Sequence, residues 1–168
     1  MKMSLLLTLC LSSFMILAVA YPCQGGELRL LNMDVNVHHA GPGQLQMDVS
    51  LTNISKRSIL LYQDDLPWEF RYSLLILVAR SSSGGESLEA LLPVQDPGRS
   101  ETVELKPGQT VRGKIVLNER FPTLAKETRA RDLYLFWVYE VTPKGSSSLE
   151  RLGGWAFVQK QNVPSASK

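Results

Sequence analysis

In Leu45-Gln46-Met47-Asp48-Val49-Ser50-Leu51-Thr52 every odd-numbered residue is apolar and every even-numbered one polar. A helix brings every third or fourth side chain to one side, whereas a strand brings every second. This run therefore fits a strand with one face on a core and the other in water. Upstream, Leu31, Met33, Val35 and Val37 alternate with Asn32, Asp34 and Asn36, and Ala40-Gly41-Pro42-Gly43 separates the two runs. Gly and Pro reverse a chain, so the pair reads as an antiparallel hairpin.

Further strand-like segments follow at the spacing of an all-β domain. Residues 58–62 (SILLY) come after the polar turn 53–57. Residues 70–80 (FRYSLLILVAR) end in Ser81-Ser82-Ser83-Gly84-Gly85. Residues 88–94 fit neither period. Residues 101–105 lead into Lys106-Pro107-Gly108-Gln109, a Pro-Gly turn, and 111–117 continue as a strand. In 132–142, Leu133, Leu135, Trp137, Tyr139 and Val141 alternate again. Residues 149–160 read as the last strand, where Gly153-Gly154 marks an expected bulge or bend. Only 123–131 looks helical, for one or two turns on the surface. Seven or eight short antiparallel strands in a chain of this length predict an all-β, immunoglobulin-like two-sheet sandwich, with a small closed barrel as the alternative. The expected organisation is one sandwich over residues 27–161, followed by a frayed polar tail, 162–168.

The N-terminus has a different character. One positive charge, Lys2, precedes an uncharged apolar run from 5 to 19 that closes on Ala18-Val19-Ala20. That is the pattern of a cleaved signal peptide, residues 1–20, followed by a flexible leader, 21–26. A span of about 15 residues is short for a membrane-crossing helix, which needs about 20, so no stable membrane insertion is expected after cleavage. Of the two cysteines, Cys10 leaves with the run and Cys23 stays alone. Pro22 occupies the position where a lipoprotein signal needs a small residue. A lone cysteine forms no internal disulfide. An exported domain without one fits the periplasm or bacterial secretion better than an animal extracellular setting. The formal net charge of +2, reduced by one with Lys2, gives no electrostatic reason to expect nucleic acid as a partner.

A catalytic reading needs a nucleophile, an acid–base pair or a metal site. The only histidines, His38 and His39, are adjacent, and adjacent residues of a strand point to opposite faces. They do not jointly chelate a metal in regular β geometry. Gly-x-Ser-x-Gly and phosphate-loop patterns do not occur. No cofactor and no catalytic residue is expected. A small-ligand or enzymatic reading would need a pocket converging on His38, His39, Asp34 or Tyr62. Trp137, Tyr139, Trp155 and Phe157 read as core aromatics. Asn53-Ile54-Ser55 has the form of a glycosylation acceptor and predicts an exposed turn.

Asp64-Asp65-Leu66-Pro67-Trp68-Glu69 is the most unusual stretch. Three carboxylates surround Leu-Pro-Trp between two strands. Such acids suit a hard cation, but their spacing matches no EF-hand loop. Asp and Pro also build turns, so one reading is an acidic turn with Trp68 over the edge of the core. The other is a partner-binding loop of Asp64, Asp65, Leu66, Trp68, Glu69 and Arg71 with Trp68 as its anchor, since aromatic anchors ringed by polar groups carry much interface energy.

Two motifs carry a resemblance. Val49-Ser50-Leu51-Thr52-Asn53-Ile54-Ser55 followed by an apolar strand, with a downstream Glu104-Leu105-Lys106-Pro107-Gly108-Gln109-Thr110-Val111, resembles secreted immunoglobulin-like sandwiches. It is similar to the Bacillus intracellular proteinase inhibitor family and to the non-catalytic N-terminal domain of deuterolysin-type metalloproteases. The resemblance implies a sandwich, while the protein-binding expectation rests on the absence of a catalytic constellation and on the loop 64–71. No inhibitory loop carries over residue by residue, and the His-Glu-x-x-His zinc motif does not occur. The expectation is an exported, non-enzymatic protein-binding domain, an inhibitor or envelope accessory. A self-associating envelope protein, pairing through an exposed edge strand, is the rival.

Overall fold

A computed structural model describes residues 29–69, 75–91 and 101–161. The expected signal peptide (1–20), leader (21–26) and tail (162–168), together with Arg71, lie outside the described residues.

The described chain is an all-β sandwich without a closed barrel. The predicted hairpin is β1 (Leu31–Gly41) with β2 (Gln44–Asn53). They pair antiparallel from Leu31↔Asn53 to His39↔Leu45, with an irregularity between His39 and Gly41. Gly43 closes the turn at φ 72, a left-handed conformation that glycine adopts without steric cost. Next come β3 (Ile59–Tyr62) and, after a 3-10 turn at Gln63–Asp65, β4 (Leu75–Ser81). Then follow β5 (Thr102–Leu105) and β6 (Thr110–Val116). The helix α1 (Leu124–Ala130) precedes β7 (Leu133–Val141) and β8 (Glu150–Val158).

One sheet has the order β1-β2-β6, the other β4-β7-β8, and β3 pairs with β5 separately. In β2, β3 and β7 the inward residues are the odd-numbered set seen in the sequence. Met47, Val49 and Leu51 meet Leu133, Leu135 and Tyr139 in one buried cluster, which Ile59, Leu61 and Leu105 complete. β1 and β8 lie side by side and are clipped at both ends. Leu30 N donates to Glu150 Oε2 at 3.1 Å, and Gly43 N donates to Gln161 Oε1 at 2.7 Å. The helix is as short as expected, but it turns Leu124 and Thr128 into the interior.

Three expectations need correction. Gly153 and Gly154 make no bulge: β7 and β8 pair without interruption, Trp137↔Gly154 and Val138↔Gly153. Their smallness serves a close approach instead. A Cβ on Gly154 would lie 2.7 Å from Trp137 Cζ2, and one on Gly153 would lie 2.9 Å from the Trp137 carbonyl oxygen. Second, Trp155 and Phe157 are not core residues, being 61 % and 49 % exposed. Their partners in register are the outward Phe136 and Tyr134. Third, the turn after β2 is exposed as expected at Ile54, Lys56 and Arg57, but Asn53 itself is fully buried. Asn53 Nδ2 donates to the carbonyls of Arg57 (2.8 Å) and Leu105 (2.7 Å). An amide nitrogen so engaged is closed to glycosylation in the folded chain.

Candidate functional site

The two sheets turn very different faces to solvent. On β1-β2-β6 the outward positions carry Asp34, Asn36, Asp48, Ser50, Arg112 and Lys114. Asp48 sits opposite Lys114 and Ser50 opposite Arg112, a mixed polar surface that water solvates well. His38 lies here half-buried, its Nδ1 3.6 Å from Asp48 Oδ2, while His39 turns away and its Nε2 lies 3.3 Å from the Gln159 carbonyl oxygen. The two rings diverge as strand geometry requires. Among the described residues no three His, Cys, Asp or Glu side chains gather as a metal site would need.

On β4-β7-β8 the outward positions are apolar. Ile76 lies opposite Val138, and Val78 opposite Phe136. Phe136 faces Trp155 on its other side, and Tyr134 faces Phe157. Tyr134 stands among three rings, with centroids 5.3 Å from Phe157, 5.8 Å from Trp155 and 6.2 Å from Phe136. These are ordinary aromatic packing distances. Yet the cluster is open above: Ile76 is 58 % exposed, Phe136 43 % and Val78 37 %. Because a large apolar residue carries about 150–250 Å², the exposed fractions leave on the order of 500 Å² of apolar surface. A patch of that size is at the upper end of what a monomeric domain usually exposes, and such patches are often functional. Its rim is polar. Arg80 closes one end, where its Nε donates to the Gly85 carbonyl, and an Arg151–Glu140 ion pair closes the other.

The sequence held a signal for this face. In 133–141 both phases of the alternation are apolar through Val138, the pattern of a strand covered on two sides. Only the inward phase has a cover in the described fold.

The acidic loop is placed otherwise than a presented anchor would be. Leu66 and Pro67 are buried, and Trp68 is half-buried against the core. The Trp68 ring lies on Gly113 of β6, where any Cβ would overlap it. Tyr139, wholly buried, donates from its hydroxyl to the Asp65 carbonyl at 2.8 Å. Burial, and secondarily the charge of Asp65, push that phenol well above its ordinary range. Asp64, Asp65 and Glu69 are half-buried on the same loop. The loop thus brings Asp64, Asp65, Leu66, Trp68 and Glu69 together, with its apolar members turned to the core.

Beside the loop runs a cleft of about 450 Å³ lined by Tyr62, Asp65, Glu140, Lys144, Ser146 and Leu149, among others. The Lys144 ammonium sits 5.3 Å from the Tyr62 ring centroid, a cation–π distance. Tyr62 does line a cleft; His38, His39 and Asp34 are not in its lining. No helix among the described residues is long and apolar enough to cross a membrane. No family model matches the chain, and no curated protein does.

Proposed function

We propose that this chain is an exported, non-enzymatic protein-binding domain of the immunoglobulin-like sandwich class, acting in the periplasm or after secretion. The observation that carries the reading is the open aromatic face of β4-β7-β8. A soluble domain gains nothing from Trp155, Phe157, Phe136 and Ile76 in water, since each leaves its hydrophobic stabilisation unrealised. A protein partner with an apolar centre and a polar rim matches that surface. The sheet orders β1-β2-β6 and β4-β7-β8 support the class, because they correspond to strands A-B-E and C-F-G of an immunoglobulin domain. The reading places the contact on the sheet face, because in the acidic loop Trp68 packs on Gly113.

Capture of partners from an envelope extract by the tagged mature protein tests this. Phe136→Lys is expected to lose the proteins that wild type retains. A folded Trp68→Ala variant is expected to keep them. Equal capture by wild type and Phe136→Lys would overturn the reading.

A further inference from the structure

We propose that the partner on this face is a second copy of the same chain, so that two molecules pair β4-β7-β8 against β4-β7-β8. This rests on the reading of the face as a protein-contact surface and names its occupant.

The area is the first argument. On the order of 500 Å² of apolar surface per copy gives about 1,000 Å² in a pair before the polar rim is added, which reaches the size a specific interface needs. Two facing sheets are also a standard packing, with side chains interdigitating across a layer about 10 Å thick.

The relief of the face is the second. Trp155 is its largest and most exposed apolar residue. Two residues back on the same strand, Gly153 offers no side chain, and it lies opposite Val138. Residues two apart on a strand are separated by about 7 Å. A two-fold axis passing between them sets Trp155 of each copy over the floor formed by Gly153 and Val138 of the partner subunit. One such contact generates its symmetric twin, as an isologous interface requires.

Edge-to-edge pairing through this sheet is partly obstructed. The outer edge of β4 is occupied near its end, because Leu88 N donates to the Ala79 carbonyl at 2.8 Å and Ser87 bridges to Arg80. The edge of β8 lies beside β1 and its clips. The outward face of the sheet, by contrast, has no cover among the described residues. The small net charge of the chain does not oppose association of two copies.

Sedimentation equilibrium of the mature protein, read with tryptophan fluorescence over a dilution series, tests this. Wild type is expected to be dimeric at high concentration, with Trp155 emission moving to the red as dilution separates the copies. Trp155→Lys is expected to weaken pairing at least about 30-fold, the scale of an interface hot spot. Arg112→Glu, on the opposite sheet, is expected to leave it unchanged. Should Trp155→Lys fail to fold, Val78→Lys, a smaller change on the same face, serves in its place. A wild-type protein that stays monomeric throughout, or forms only undefined aggregates, overturns the proposal. If the envelope capture still depends on Phe136, that outcome leaves the protein-binding reading standing with a different partner.

Discussion

Asn53 shows how one side chain explains why two distant motifs occur together. Its Oδ1 accepts from Ser55 N (2.9 Å) and Ser55 Oγ (2.7 Å), so it shapes the turn after β2. Its Nδ2 reaches the Leu105 carbonyl, and its backbone pairs with Gly108 and Gln109. The turn 53–57 and the Pro-Gly turn 106–109 are thereby one structure. The sequence displayed both motifs as turns, and nothing in either showed that they touch. Asn53→Ala takes this partner from the buried Leu105 carbonyl and from Ser55 N, while Ser55 Oγ still reaches the Arg57 carbonyl at 2.9 Å, and each unsatisfied group costs about 1–3 kcal/mol. Urea denaturation is expected to show a loss of about 2–4 kcal/mol. A change under 1 kcal/mol would mean that water replaces the amide.

At the scale of elements, strands with one polar face were legible because their alternation leaves a single solution. β1 and β2 occur where the residues predict them. The outer sheet was less legible, because an apolar outward phase does not say what covers it. Trp155 and Phe157 alternate like core residues, and only the pairing with Phe136 and Tyr134 assigns them to the outside. The loop after β3 was read in two ways, and its geometry follows from a bond no motif could reveal, that of the Tyr139 hydroxyl to Asp65. This bond has a signature in pH. The unfolded phenol ionises near 10, whereas in the folded chain its value is raised. Below pH 10 both states hold the proton and stability is unaffected. Above pH 10 the unfolded state releases a proton the folded state keeps, so stability falls by up to about 1.4 kcal/mol per pH unit. Arg120, lowered to about 10 by burial against the opposing pull of Glu119, acts in that window with the opposite sign. It is common to wild type and variant. Tyr139→Phe is expected to lose about 1 kcal/mol at pH 7, yet to decline less steeply than wild type between pH 10 and 11. Identical slopes in denaturation at the two pH values would contradict the assignment.

The whole molecule combines a wetted sheet with an apolar one over a single core. Trp137 and Tyr139 fill that core, while Tyr134 and Phe136, their immediate neighbours, open outward. A strand so apolar on both sides is consistent as part of a larger assembly and costly as a lone surface. This asymmetry sets the two faces of the domain apart. Its three tryptophans allow a direct test, because Trp68 is half-buried on Gly113, Trp137 is buried and Trp155 projects from the open face. Oxidative footprinting of the mature protein, dilute and purified on one side and at native abundance in its envelope extract on the other, reads each ring separately. Trp155 is expected to be modified in the dilute protein and protected in the extract, with Trp68 and Trp137 alike in both. Equal modification of Trp155 in the two conditions would contradict it.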